Sequence, residues 1–327
     1  MIYAVWLPPL IPLIAVPAAR HAADRLAPRA AARLLVSCAV LLACSSTAAL
    51  GALAALGLLR VNQVASAAGF SPEAPAGHTG PALWTAPVAT ILLIAGFAQV
   101  IRVAVRHHRE LRSEQRAIGP TAGELTVHPD EYPYAYALPG RRGKPGTIVV
   151  SAAMLRSLRP DEREALFAHE REHLAGHHHR FLAAAQLAAV LHPALRALRE
   201  PLAYALERRA DEAAAHAVGD RKLAAKAIGR AALAARESKS PAARRGAILA
   251  TVGGAVPRRV MALLQADDAT QPARRRCWTC AVAVALLCCL ALSAATGVDA
   301  VEDLHLNVAH GADPDRAASV TSASWAR

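Results

Sequence analysis

The sequence predicts a mostly α-helical protein with a small β-sheet, in which four transmembrane helices frame one cytoplasmic domain. Three observations carry this. Of the 327 residues 54% are hydrophobic but only 4% aromatic, so Ala and Leu supply the apolar content, as in helical proteins with membrane spans. Apolar runs near the length that crosses a hydrocarbon layer, about 20 residues, occur at both ends of the chain and leave a polar middle. Arginine crowds beside some ends of these runs and is missing from others, the asymmetry that orients helices across a bilayer.

The first run covers about 2–18 and contains Pro8, Pro9, Pro12 and Pro17. No basic region precedes it, which sets it apart from a signal peptide. The second covers 34–59, the third 82–101 and the fourth, from Trp278 to about Ala295, lies within 277–297. Arg20, Arg25, Arg29 and Arg33 follow the first run; Arg102, Arg106, Arg109, Arg112 and Arg116 follow the third; Arg274, Arg275 and Arg276 precede the fourth. The stretch from Val61 to Pro81 has no basic residue, and the segment 298–327 is net acidic. The orientation expected is therefore N- and C-termini extracytoplasmic, with residues 103–276 inside as the one folded domain and 298–327 as a short extracytoplasmic tail.

The formal charge of +12 raises the question of nucleic acid. Because the arginines sit beside apolar runs, without an aromatic or Gly-rich binding module, the lipid bilayer is the better counter-surface and no direct nucleic-acid partner is expected. Cys38, Cys44, Cys277, Cys280, Cys288 and Cys289 all fall in apolar runs and read as small hydrophobes, although Cys277 and Cys280 do make a C-x-x-C.

Within 103–276 a basic helical extension comes first. Tyr134–Leu138 alternates large and small residues up to Pro139-Gly140, and Thr147–Ser151 has a β-branched core, so two strands are expected around a basic turn. The remainder is Ala- and Leu-rich with charges on one face, which predicts helices, with a looser segment from Lys239 to Gly254.

The chemistry concentrates at His169-Glu170-Arg171-Glu172-His173. Pro160 followed by Asp161 and Glu162 favours a helix start, and Gly176 favours its stop, which gives about four turns with the motif inside. Residues four apart share a helix face, so both imidazoles aim at one point. Glu170, beside the first imidazole, can take a proton from an attacking water without binding the metal.

Two residues compete to be the third ligand. His169 to His179 matches the long H-E-x-x-H-x-x-G-x-x-H pattern of metzincin proteases, which makes His179 a candidate. Yet His177, His178 and His179 are consecutive, and the one downstream methionine is Met261. The other candidate is Glu207 in Glu207-Arg208-Arg209-Ala210-Asp211, the E-x-x-A-D arrangement of gluzincins, with Asp211 one turn on to accept a ligand imidazole N–H. Glu207 is the preferred ligand. It can serve only if Phe181–Leu198 does not cross the bilayer, and His192, Pro193 and Arg196 interrupt that run.

Tyr136-Ala137-Leu138-Pro139-Gly140, Ile148-Val149-Val150-Ser151, the H-E-x-x-H, Glu207-Arg208-Arg209-Ala210-Asp211 and Arg259-Val260 with Leu263-Leu264 together resemble the BlaR/MecR-type membrane zinc metallopeptidases, which are related to the HtpX and CAAX-protease gluzincins. The resemblance implies a cytoplasmic gluzincin-like zinc peptidase domain. It implies Zn²⁺ held by His169, His173 and Glu207, Glu170 as catalytic base, Asp211 behind the ligands, and a substrate peptide added to the edge of Tyr134–Leu138. It also implies a protein or peptide substrate such as a cytoplasmic repressor. The sensor members carry a penicillin-binding domain after the last span, and the segment 298–327 has no S-x-x-K acylation site. His216 and Arg259 are candidates to assist an oxyanion. The alternatives are a non-enzymatic zinc-containing transducer and a metal-handling protein that uses the His177–His179 run.

Overall fold

A computed structural model describes residues 7–58, 80–119, 123–140, 145–237 and 256–265. The expected fourth span, the looser segment after Lys239, the basic turn 141–144 and the acidic tail lie outside the described residues.

Three helices come first: α1 (Leu7–Ala23), α2 (Pro28–Leu58) and α3 (Gly80–Ile118). Stretches of α2 and α3, Pro28–Ala55 and Thr85–Ile118, are long and apolar enough to cross a membrane. The expected four spans become two among the described residues. The described part of α1, 17 residues with Arg20 and His21 in its last turn, is a shorter apolar helix than these two. On α3, Val88, Ile91, Leu92, Ile94, Phe97 and Ile101 are each more than half exposed, an apolar surface that water does not favour. Beyond Ile101 the same helix turns basic.

The expected strands are present, with one more that the sequence reading missed. Strands β1 (Leu125–His128), β2 (Ala135–Leu138) and β3 (Thr147–Ser151) lie in the order β1-β3-β2. β1 runs parallel to β3 and β2 antiparallel to it. All of β3 is buried, as suits a β-branched central strand, whereas β2 alternates half-buried and buried residues and lies at an edge. The Gln115 side-chain amide donates to the Pro139 carbonyl at 2.8 Å, tying α3 to the end of β2.

Ser151 then caps α4 (Ala152–Ser157), its hydroxyl accepting from the Met154 and Tyr134 N–H groups. Helix α5 (Pro160–Ala175) begins and ends where the sequence predicts. Pro160 opens it, and the Glu162 carboxylate accepts from the Arg159 N–H at 2.9 Å and pairs with Arg230. The Gly176 N–H closes it on the Glu172 carbonyl at 2.8 Å. His177 is left-handed (φ 53°, ψ 38°) and redirects the chain into α6 (His178–Leu191). A 3-10 turn (Pro193–Leu198), α7 (Arg199–Val218), α8 (Arg221–Glu237) and α9 (Val256–Leu264) follow.

The Phe181–Leu198 run is not one continuous helix. It breaks at His192-Pro193, and the chain returns along α7. Ala185 and Ala188 of α6 join Leu195, Leu198, Leu202 and Leu206 in one core with Leu35, Ala39 and Leu42 of α2. The return brings α7 against α5, over a second core of Ala168, Ala214, Ala215, Ala224, Ala225, Ile228 and Leu263. Alanine at most of these positions lets α5, α7 and α8 approach closely. At the far end Arg258 of α9 pairs with Asp24 at 3.2 Å and lies over the Tyr204 ring, joining the α1–α2 turn to this helical layer.

Gly146 marks where β3 begins against α5. A Cβ there would come within 2.8 Å of Leu174 Cδ2 and 2.9 Å of the Leu138 carbonyl oxygen. Gly146→Ala is therefore expected to destabilise the domain by about 1–3 kcal/mol, the range for overpacking, seen as a lowered melting temperature. A melting curve that overlays the parent's would contradict this packing.

Candidate metal centre

The H-E-x-x-H helix and the E-x-x-A-D helix meet face to face. His169 and His173, one turn apart on α5, point their Nε2 atoms at one another, 3.2 Å apart. From α7, the Glu207 carboxylate stands 3.6 Å from the Nε2 of His169 and 3.5 Å from that of His173. Three donors bound tetrahedrally at about 2.0–2.1 Å lie roughly 3.3–3.4 Å from one another, so these separations fit one small cation. Among the described residues this is the group that can hold a metal ion. Two imidazoles and one carboxylate are the protein donors of one class of catalytic zinc site, whose fourth position is kept for water.

Behind the donors, His169 Nδ1 lies 3.1 Å from Asp211 Oδ1, the contact that frees Nε2 for a metal. Asp211 is fully buried and held by Arg259 of α9 through two hydrogen bonds, 2.8 Å from Nε and 2.5 Å from Nη2. Arg259 Nη1 also reaches Glu207 at 2.7 Å. One guanidinium thus restrains both acids. Of the two candidates to assist an oxyanion, Arg259 is engaged with these acids and His216 is exposed on α7.

Glu170 is buried, and the Ala137 N–H of β2 donates to its carboxylate. Burial pushes the Glu170 carboxyl up to about 7, against the pull of His169 and Arg259. Burial would likewise raise Glu207, but His173, the His169 hydrogen bond and Arg259 together hold it far below the usual carboxylate range. Burial opposes charge on His169, yet Asp211 and Glu207 outweigh it and push that imidazole up to about 10; His173 is pushed down to about 4, because burial and the charges of His169 and Arg259 outweigh the pull of Glu207.

The three consecutive histidines diverge. His177 is exposed and stacks at 6.2 Å on His179, away from the donor cluster, so the metzincin register brings no third ligand here. His178 turns inward, its Nδ1 2.7 Å from that of His173. It was missed in the sequence, where His179 is the candidate drawn from this run. The signal available was Gly176, which ends α5 and lets the next turn fold back beneath it.

Arg259→Met leaves buried Asp211 without its cation. In zinc-stripped protein this is expected to cost about 3–5 kcal/mol, the range for breaking a buried pair from one side. Arg259 and His169 hold Asp211 below its ordinary 3.8, so the pair's contribution is complete above that value and is lost as the pH falls through the lower folded value. The gap in melting temperature between parent and variant should therefore be widest near neutrality and narrow under acid. A gap independent of pH would contradict the pairing.

The sequence model described as Peptidase family M48 matches residues 108–272, half of the chain, from the end of α3 through α9. No curated protein and no solved structure matches. The match spans the residues that supply the donor cluster, Glu170 and the Asp211–Arg259 pair. The narrower likeness to BlaR/MecR-type members is a finer statement than this match makes. The chain belongs to peptidase family M48, a family of metallopeptidases that typically use zinc.

Proposed function

We propose that this protein is a membrane-bound zinc metalloendopeptidase that hydrolyses peptide bonds on the cytoplasmic side. Its BlaR/MecR-type features favour regulatory proteolysis, such as cleavage of a repressor. The observation that carries the reading is the convergence of His169, His173 and Glu207 from two helices, with Glu170 buried beside them inside the M48-matched region.

In this reading His169, His173 and Glu207 hold Zn²⁺, which supplies Lewis acidity for a water and for the scissile carbonyl when bound. Glu170 accepts the proton of the attacking water and returns it to the leaving amine. A carboxyl held near neutrality by burial is suited to both transfers. Asp211 fixes the His169 tautomer, and Arg259 keeps Glu207 and Asp211 ionised and in place. The free edge of β2 offers backbone groups to an extended peptide, and Ala137 on that strand ties the edge to Glu170.

The membrane part of the proposal rests on α2 and α3, the exposed apolar surface of α3 and the arginine distribution. With the run at Trp278 it gives a multi-pass protein, N- and C-termini outside, and 103–276 inside.

Glu170→Gln is expected to retain zinc and to lose about 10²–10⁴-fold in peptide hydrolysis, the usual contribution of a general base. Cleavage at the parent rate would remove the proposal. A reporter enzyme active only outside the cytoplasm should work when inserted in the 61–81 segment and fail when inserted in 238–255; the opposite result would reverse the topology.

A further inference from the structure

We propose that His178 is a positioning residue for His173, doing for the second imidazole what Asp211 does for the first. This rests on the reading of His169, His173 and Glu207 as the zinc ligands.

For His173 to offer its Nε2 lone pair to a metal, its proton must sit on Nδ1. That Nδ1 faces His178 Nδ1 at 2.7 Å, with the rings perpendicular and their centroids 4.6 Å apart. Two N–H groups at this distance would repel, and so would two lone pairs, so one nitrogen donates and the other accepts. Only donation from His173 leaves its Nε2 free, so His178 accepts and carries its own proton on Nε2.

Three further features converge on holding this ring. His178 is 1% exposed, and its Nε2 has no hydrogen-bond partner among the described residues, an arrangement that a purely structural residue would avoid. A Cβ at residue 176 would come within 2.6 Å of His178 Nε2, so Gly176 is the space the ring occupies. His177 adopts a left-handed backbone (φ 53°), rare outside glycine, and this turn swings residue 178 inward while its neighbours face away. A left-handed turn, a glycine cradle and an unpartnered nitrogen meet at one ring whose single polar contact among the described residues is a proposed ligand.

The test compares three variants of the full chain in detergent. His178→Asn keeps an acceptor where Nδ1 stands; His178→Gln moves it to the Nε2 position; His178→Leu removes it. Zinc affinity by chelator competition is expected to fall about 10–100-fold in the Leu and Gln variants, the usual effect of losing a group behind a ligand, and to return close to the parent in Asn. The absorption of the Co²⁺-loaded protein should shift in the same two variants.

Parent-like zinc affinity and Co²⁺ spectra in the Leu and Gln variants would overturn the inference, as would a fall that Asn does not restore. If His178 variants leave affinity unchanged while Glu207→Ala abolishes zinc uptake, the inference alone fails. If the parent takes up no zinc, the reading beneath it fails as well.

Discussion

An ionised carboxylate has to stand between two imidazoles inside a largely buried site, and most of the domain is arranged around that requirement. Left alone, burial would protonate Glu207 and leave it a poor ligand. His173, the His169 hydrogen bond and Arg259 together prevent this, and Arg259 binds Glu207 and Asp211 at once. The guanidinium is itself buried among acids, which hold it firmly charged. Acid and base thus come from helices far apart in the chain, α7 and α9, and neither charge is tolerable there without the other. The catalytic reading inherits this: Glu170 has no comparable cation bonded to it, so burial prevails and its carboxyl drifts upward towards neutrality.

The apolar helices have a structural part in the same arrangement. Glu207 can approach His169 only because the chain between them rises along α6, breaks at His192-Pro193 and descends along α7. Ala185 and Ala188 seat that rise against α2, and Leu198, Leu202 and Leu206 seat the descent. The core that packs the hairpin on the proposed membrane helices therefore also fixes where the third donor arrives. In the same way α3 reaches β2 through Gln115, and β2 reaches Glu170 through Ala137.

The site was legible where it is local. Pro160, the acids after it and Gly176 bracket α5 in the sequence as in the structure, and one-turn spacing alone sets His169 and His173 together. Tyr134–Leu138 and Thr147–Ser151 announced themselves by alternation and β-branching, with the observed β2 starting one residue later. What failed was non-local or weakly patterned. Strand β1, exposed along one side, has too few buried residues to show a period. The inward turn of His178 depends on the backbone of His177, which composition does not disclose. The pairing of Arg259 was not legible because its two acids lie about fifty residues upstream.

The most direct test of the central claim is X-ray absorption at the zinc edge on the purified, zinc-loaded full chain. The account predicts two imidazole nitrogens and a carboxylate oxygen at about 2.0–2.2 Å, with the carboxylate scattering lost in Glu207→Ala. Sulfur scatterers, which would point to Cys277 and Cys280, or a third imidazole in place of the carboxylate would contradict it.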